Sequence, residues 1–257
     1  MRFCFVAHSY TPVAPVTHVS PIRGRFAVFS PPDRAQKAAW DHEVRPARED
    51  VGMRHDSADG RAAVRKFFTE RAARWDTRFP DDGPAYAAAV AKVGLRPGDT
   101  VLDAGCGTGR ALPELRSRVG ASGTVLGADL TPAMLDEVAR AGRQPAATAL
   151  LLADVARLPL RDGCLDAVFG AGLISHLPGP GSGLSELARV VRPQGRLALF
   201  HPLGRAALAA RQGRRITPQD IRAEPRLRPL LAATGWRMLS YVDEDERYLV
   251  LAEREAV

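Results

Sequence analysis

A short apolar run that breaks into three closely spaced glycines constrains the fold of this chain more than any other feature. Residues 100–104 have the composition of a buried strand, and a helix-forming stretch follows at 111–119. The turn between them, which we call the glycine turn, contains Gly105, Gly107 and Gly109. Such a turn at the start of a helix lets a ligand approach bare backbone and free N–H groups. The sequence therefore predicts a small-molecule site here.

The spacing of these glycines disfavours a dinucleotide as the ligand. In the dinucleotide fingerprint the third glycine follows the second by three positions, and Arg110 occupies that position here. An acidic residue, Asp103, also precedes the first glycine, where it would repel a pyrophosphate but suit a cationic ligand. An NAD-dependent dehydrogenase is thus the least favoured of the enzyme classes considered.

Strand and helix patterns alternate along the rest of the chain. The strand-like stretches are 100–104, 125–129, 149–153, 167–170, 196–200, 238–242 and 247–252. Helical stretches lie between most of them, which predicts an α/β fold with a doubly wound, mainly parallel sheet and helices on both faces. Ligands of such sheets bind outside the carboxyl ends of the strands.

Three aspartates lie at the carboxyl ends of three of these predicted strands. Asp103 precedes the first glycine, Asp129 ends the second strand 20 residues after Gly109, and Asp154 follows the third strand. A carboxylate at the tip of the second strand can accept both hydroxyls of a ribose. We therefore expect these three acidic residues to line one edge of the sheet around the ligand.

Together these motifs resemble the class I S-adenosylmethionine-dependent methyltransferases over about residues 67–252. The matching segments, in the family's order, are 101–109, 127–135, 154–155, 158–168, 175–178 and 187–195. The resemblance implies a Rossmann-like sheet of seven strands with an antiparallel last strand. It also implies transfer of a methyl group from S-adenosylmethionine by in-line displacement.

The same resemblance implies which residues contact the cofactor. The candidates are Asp103, Gly105, Cys106, Gly107, Gly109, Asp129, Leu130, Met134, Asp154 and Val155. Asp129 would hold the ribose, and Asp154 with Val155 would border the adenine. Met134 fits either the core or the wall of the adenosine pocket. Cys106 has no base or cation near it in sequence, so we interpret it as a small filler rather than a nucleophile.

Two histidines are the candidate catalytic residues. His176 and His201 lie just beyond the fourth and fifth predicted strands, where an acceptor would face the methyl group. An imidazole titrates near neutral pH, so either is a candidate general base for a hydroxyl or amine acceptor. Many methyltransferases need no base, because the sulfonium is already activated and positioning supplies much of the rate. A catalytic role for either histidine is therefore a hypothesis.

The patterns divide the chain into three parts. Residues 1–56 contain many prolines and no sustained period, so we expect a poorly ordered extension, of which residues 1–51 are dispensable for folding and cofactor binding. Residues 57–94 predict a helix across 57–79 and another at 85–93, and the resemblance implies that they cover the cofactor. Residues 95–257 are predicted to form the Rossmann-like methyltransferase domain.

Composition adds little about partners. Of 36 basic residues only Lys37, Lys66 and Lys92 are lysines, so we attribute the net charge of +7 to codon bias. The seven arginines at 205–228 predict a solvated face. Three cysteines without a Cys-x-x-Cys pair predict reduced thiols and neither a disulfide nor a metal site. With no long apolar run and no signal-peptide core, we expect a cytoplasmic protein without a membrane span.

The favoured partner is a small-molecule methyl acceptor, with no membrane and no nucleic acid expected. An RNA or protein methyltransferase is the second hypothesis. Methyltransferases that act on amide or base nitrogens would carry an Asn/Asp-Pro-Pro-Tyr motif after the fourth strand. Residues 170–173 of this chain are Gly-Ala-Gly-Leu instead. A protein that binds S-adenosylmethionine without catalysis is a third reading. The acceptor and the oligomeric state stay open.

Overall fold

Seven strands form one sheet in the computed structural model, which describes residues 58–78, 82–177, 179 and 181–256. They are β1 (Thr100–Ala104), β2 (Thr124–Asp129), β3 (Ala149–Leu152), β4 (Leu165–Ala171), β5 (Val191–His201), β6 (Trp236–Glu244) and β7 (Arg247–Arg254). The spatial order is β3-β2-β1-β4-β5-β7-β6, and β7 is antiparallel to both of its neighbours. The predicted sheet, mainly parallel with an antiparallel last strand, is confirmed. The predicted extension, residues 1–56, lies outside the described residues.

Helices connect the strands and cover both faces of the sheet. They are α1 (Ala58–Thr69), α2 (Trp75–Arg78), α3 (Gly83–Val93), α4 (Leu112–Val119), α5 (Pro132–Arg140), α6 (Ser182–Val190), α7 (Arg205–Arg211) and α8 (Glu224–Ala233). Short 3-10 helices occur at Ala72–Arg74, Gln144–Ala146 and Ile174–His176. α3 ends where the sequence predicts, because Gly94 adopts a left-handed backbone with a φ of 81°.

The helix predicted across residues 57–79 is interrupted. α1 ends at Thr69, and a 3-10 turn leads into the single turn of α2. At the break the Arg71 guanidinium lies 3.7 Å from the centre of the Phe67 ring and donates to the Phe67 carbonyl at 2.9 Å. That carbonyl would accept from the amide of residue 71 in a continuous helix. The apolar spacing located the helix correctly but carried no signal for this competing side-chain bond.

Alternating residues of the strands supply two separate cores. On β1, Leu102 belongs to the core beneath α6 and α8, whereas Val101 belongs to the core beneath α3, α4 and α5. The same alternation continues across the sheet, as at Val168 and Phe169 of β4. Because both faces are covered, the strands carry almost continuous apolar runs, and polar side chains are left to the strand ends.

The expectation for the cysteines is wrong at one position. Cys164 is disulfide-bonded, whereas Cys106 is free and buried. A disulfide joins residues that only the fold brings together, so the absence of a Cys-x-x-Cys pair carried no information about it. In the part of the chain that the structure describes, no helix is both long and apolar enough to cross a membrane.

Candidate active site

The glycine turn has a left-handed backbone at each of its glycines, with φ of 65°, 53° and 79° at Gly105, Gly107 and Gly109. Their surroundings differ. A Cβ on Gly109 would lie 2.8 Å from Leu112 Cδ1, and one on Gly105 would lie 3.0 Å from Leu173 Cδ1. A Cβ on Gly107 would meet no atom of the described residues within 4 Å. Gly107 is therefore the glycine whose backbone a ligand can approach.

Asp129 holds the glycine turn from the neighbouring strand. Its Oδ2 accepts a hydrogen bond from the Gly107 N–H at 2.9 Å, and its Oδ1 accepts one from the Thr131 N–H at 2.8 Å. Burial raises the pKa of this carboxyl, and the two backbone donors oppose that rise. Each oxygen keeps a further lone pair, so the carboxylate can hold the turn and also accept ligand hydroxyls.

Asp103 lies on the same face of the sheet as Asp129 but in a different setting. Asp103 pairs in register with Gly127, so Asp129 is two residues further along and points to the same face. The Asp103 side chain is buried, and neither of its oxygens has a hydrogen-bond partner among the described residues. Burial, and to a lesser degree the charge of Asp129, raise the pKa of Asp103 to about 8.

The end of β3 supplies the third predicted carboxylate. Asp154 Oδ1 accepts from the backbone N–H two residues further on at 2.9 Å, and its Oδ2 lies 3.8 Å from Nε of Arg61 on α1. Val155 and Met134 are buried, and Leu130 is half-buried. The structure therefore brings the predicted adenosine-side residues to the same edge of the sheet as Asp129.

Cys106 is buried inside the glycine turn. Its N–H donates to the Ala128 carbonyl at 2.9 Å, which ties the turn to β2. Burial and the nearby carboxylates of Asp103 and Asp129 raise the pKa of the thiol. A thiol that stays protonated is a poor nucleophile, so the geometry supports the interpretation of Cys106 as a filler.

Residues 58–78, which we call the covering segment after the role predicted for them, are bonded to the glycine turn by groups that the sequence analysis missed. Asp76 accepts from Thr108 Oγ1 at 2.6 Å and pairs with the Arg143 guanidinium. Arg143 also donates to the Thr108 carbonyl at 3.0 Å. The partners lie 32 and 67 residues apart from Asp76 in sequence, so no local spacing could have revealed them.

A second bonded group joins α3 to the other end of the turn. Arg110 lies 3.3 Å from Asp82, and its guanidinium is 5.5 Å from the centre of the Tyr86 ring. The Tyr86 ring in turn contacts the Phe200 and Phe169 rings, at centroid distances of 5.1 and 6.4 Å. Burial raises the Tyr86 pKa well above its usual value. Tyr86 is therefore neutral, and its half-buried ring packs against the core beneath α3, α4 and α5.

The two predicted catalytic histidines have different surroundings. His176 is exposed, and its ring lies edge-on to the Phe68 ring of α1 at 5.1 Å. His201 is half-buried, and its Nδ1 lies 3.0 Å from the Leu203 N–H and 2.9 Å from the Leu203 carbonyl. Burial lowers the pKa of His201 to about 4. Its ring is therefore neutral at pH 7, with Nδ1 engaged by the backbone.

Comparison with known proteins gives the domain its class. Residues 102–199 match the family model described as a methyltransferase domain. The malonyl-[acyl-carrier protein] O-methyltransferase of Serratia marcescens is 41% identical over 112 residues, 44% of this chain and 41% of that protein. The demethylmenaquinone methyltransferase of Beutenbergia cavernae is 31% identical over 166 residues, 65% of this chain and 60% of that protein. A solved SAM-dependent methyltransferase from Aquifex aeolicus is 26% identical, with a TM-score of 0.56 over 66% of this chain and 89% of that one.

Residues 102–199 therefore form a methyltransferase domain, and the chain is similar to S-adenosylmethionine-dependent methyltransferases of class I. The cofactor of this class is S-adenosylmethionine. The matched segments span less than two thirds of the length of either curated relative. The methyltransferase domain fits that cofactor on two observations, the open space beside Gly107 and the buried Asp103 oxygens without a partner.

Residues 202–223 follow His201 at the strand end where we predict the acceptor, and we call them the acceptor-side segment. Arg205 bonds Asp243 of β6 twice, from its backbone N–H at 2.7 Å and from Nε at 2.9 Å. Arg222 pairs with Asp220, and its carbonyl accepts from the Tyr241 hydroxyl at 2.9 Å. The prediction of a solvated arginine face is therefore wrong at Arg205 and Arg222, which are half-buried and tie the segment to the sheet.

Proposed function

We propose that the protein transfers the methyl group of S-adenosylmethionine to a small-molecule acceptor. The observation that carries this proposal is the open position beside Gly107, which Asp129 bonds, next to the buried Asp103 oxygens that have no partner among the described residues. When bound, the cofactor would supply a methyl group on a positively charged sulfur. An acceptor nucleophile would attack the methyl carbon, and the electron pair of the broken carbon–sulfur bond would stay on the sulfur, which leaves as a neutral thioether.

The residues of the cofactor side have distinct roles in this proposal. The backbone at Gly107 receives the methionine portion, because a side chain there would fill the open space. Asp129 accepts the ribose hydroxyls with the lone pairs that Gly107 and Thr131 leave free. Asp154 and Val155 border the adenine. The covering segment, bonded through Asp76, excludes water from the site, which strengthens the electrostatic interactions inside it.

A proton leaves the acceptor when the nucleophile is a hydroxyl or an amine. We infer that His176 rather than His201 accepts that proton. The pKa of about 4 makes the buried His201 a weak base at neutral pH, whereas His176 is exposed at the end of β4. His176→Gln should lower kcat while the dissociation constant of the cofactor stays within about twofold. An unchanged kcat across pH 6 to 9 would remove His176 from this role.

The class of acceptor is also a proposal. The two curated relatives are named for methyl transfer to malonyl-[acyl-carrier protein] and to demethylmenaquinone. Their names support acceptors that carry a carboxylate or a quinol rather than a nucleic acid. The segment at the end of β4, Gly170 to Leu173, supports the same conclusion, because it lacks an Asn/Asp-Pro-Pro-Tyr motif.

The direct test combines binding with turnover. Calorimetric titration of the full chain should show binding of S-adenosylmethionine and of its demethylated product. Asp129→Ala should weaken both, because it removes charge-assisted hydrogen bonds worth about 1.5–3 kcal/mol each. Asp136→Ala is the matched control, since Asp136 is an exposed carboxylate on α5. Equal affinities of the wild type and Asp129→Ala would contradict the assignment of Asp129.

Turnover is then measured with methyl-labelled cofactor against panels of carboxylates, quinols and amines, with RNA and protein as separate panels. Label in a small-molecule product supports the proposal. Label only in RNA or protein would contradict the proposal and support an RNA or protein methyltransferase. Cofactor binding without transfer to any panel would favour a non-catalytic binding protein.

A further inference from the structure

Two carboxylates at neighbouring strand ends differ in how their charge is compensated. Asp129 receives two backbone N–H groups, one on each oxygen, at 2.9 and 2.8 Å. Asp103 is 1% exposed and receives none from the described residues on either oxygen. A carboxylate removed from water without a donor or a cation is strongly disfavoured relative to its protonated form. Asp103 and Asp129 therefore differ in how strongly each carboxyl group holds a proton.

The groups that face Asp103 offer no positive charge. From β2 comes Asp129, of the same sign, and from the glycine turn comes the Cys106 thiol, which burial keeps protonated. From α3 comes the neutral Tyr86 hydroxyl. The register neighbours on β2 and β4, Gly127 and Phe169, do not titrate.

The nearest cation of the glycine turn is already engaged. Arg110 pairs with Asp82 at 3.3 Å, and its guanidinium lies over the Tyr86 ring. Asp129 is the charged side chain that acts on Asp103, and its effect is repulsive. None of these described groups therefore supplies a positive charge to Asp103, whereas a cationic ligand would.

We propose that Asp103 is protonated in the cofactor-free protein and releases its proton when the positively charged cofactor binds. This inference depends on the proposed use of S-adenosylmethionine, which carries both a sulfonium and an ammonium group. The cofactor's positive charge replaces the proton as the counter-charge of Asp103, and the proton passes to the buffer. Binding of one cofactor is then coupled to release of one proton.

The pKa of about 8 for Asp103 agrees with this geometry. At pH 6 to 7 most of the cofactor-free protein carries the proton, so binding must displace it. Linkage then requires the cofactor affinity to rise about tenfold from pH 6 to pH 7 and to level off above pH 8. A carboxylate that was ionised over this whole pH range would give no such rise in cofactor affinity.

Calorimetry measures the proton directly. The full chain is titrated with S-adenosylmethionine at pH 6.5 in phosphate and in imidazole, whose ionisation enthalpies differ. The slope of the observed binding enthalpy against the ionisation enthalpy of the buffer should correspond to release of close to one proton. At pH 9 the wild type should release no more protons than Asp103→Asn does, because Asp103 is then ionised before binding and the cofactor's own ammonium group contributes equally to both titrations. Binding with no proton release at pH 6.5 would overturn the inference while leaving the proposed function intact.

The matched variant is Asp103→Asn, which keeps the shape of the side chain and cannot titrate. It should release no proton, and its cofactor affinity should lose the tenfold rise between pH 6 and pH 7. A second measurement does not need the cofactor at all, and it decides the matter if the variant binds too weakly to titrate.

That measurement compares the thermal midpoints of the two cofactor-free proteins as a function of pH. The pKa of Asp103 is raised from 3.8 to about 8 by folding. The stability that the protonated group contributes is therefore complete below pH 4 and is lost as pH rises toward 8. The wild-type midpoint should fall relative to that of Asp103→Asn across this window. Parallel midpoint curves would show that Asp103 is ionised in the free protein, and absence of cofactor binding by the wild type would contradict the proposed function instead.

Discussion

The proposed cofactor side and the proposed acceptor side of this site are built in different ways. On the cofactor side, the ends of β1, β2 and β3, two strand-end carboxylates are each held in part by a nearby backbone N–H. Asp129 bonds the Thr131 N–H and Asp154 bonds the N–H two residues further on. On the acceptor side, the ends of β4 and β5 with residues 202–223, Arg205 is fixed by Asp243, 38 residues away. Local bonds produce recognisable motifs, and long-range bonds do not.

This difference also predicts which substitutions should affect binding of the cofactor and which should affect binding of the acceptor. The cofactor side has one open position, at Gly107, inside a turn that is otherwise tightly packed. The acceptor-side segment is bonded to β6 through the half-buried pair of Arg205 with Asp243. We therefore expect substitutions on the first side to act on cofactor affinity, and those on the second to act on acceptor affinity and on stability.

The largest effect should come from Gly107→Val. The added side chain occupies the open space at the turn, and cofactor affinity should fall by about a hundredfold or more. The left-handed φ of 53° adds a conformational cost of about 1–2 kcal/mol to folding. Thermal midpoints with and without S-adenosylmethionine separate the two effects, because a ligand that binds only the native state raises the midpoint.

Gly94→Val is the matched control. Gly94 also has a left-handed φ, 81°, and a Cβ there would meet nothing among the described residues within 4 Å. It lies at the end of α3, before β1, and so at the opposite edge of the sheet. It should lose a similar amount of stability and keep its cofactor-induced shift. A full shift in Gly107→Val would show that the glycine turn is not the binding loop.

Asp76→Ala should have the next largest effect. It removes the acceptor of Thr108 Oγ1 and the partner of Arg143, and so detaches the covering segment from the glycine turn. Loss of these charge-assisted bonds at a partly exposed position should lower the free energy of unfolding by about 1–2 kcal/mol. Cofactor release should become about tenfold faster, as measured by stopped-flow displacement. Asp136→Ala on the exposed face of α5 should change neither quantity, and an unchanged release rate in Asp76→Ala would mean that the covering segment does not control access.

The same contrast explains what the sequence could predict. The seven strands, the glycine turn and the carboxylates at strand ends were predicted, because each depends on period or spacing within a short segment. Asp76, Arg143 and the break after Thr69 were missed, because each depends on a partner that only folding brings near. The bond at Cys164 belongs to the same class. Even a correct motif left one point hidden: Asp103 and Asp129 look alike in sequence, and only their backbone surroundings distinguish them.

Arg205→Ala tests the acceptor side. It breaks the pair with Asp243 and leaves that half-buried carboxylate without its cation, which should lower the free energy of unfolding by about 1–3 kcal/mol. The KM of the acceptor should rise several-fold, while the cofactor dissociation constant stays within about twofold. Arg228→Ala removes an exposed pair with Glu224 and should stay within about 0.5 kcal/mol of the wild type. An equal loss of cofactor affinity in Arg205→Ala would show that the two sides are not separable.

The smallest effect is expected for His201→Gln, and it appears only in acid. Folding lowers the pKa of His201 from 6.5 to about 4, because the buried ring resists protonation. The contribution of the neutral ring is therefore complete above pH 6.5 and is lost as pH falls toward 4, where the unfolded chain binds a proton that the folded one does not. The wild-type midpoint should fall relative to that of His201→Gln across this window, and both should bind cofactor equally at pH 7.5. A variant that instead lost methyl transfer at pH 7.5 with cofactor affinity unchanged would show that neutral His201 acts on the acceptor through Nε2, and His176 would no longer be the favoured base.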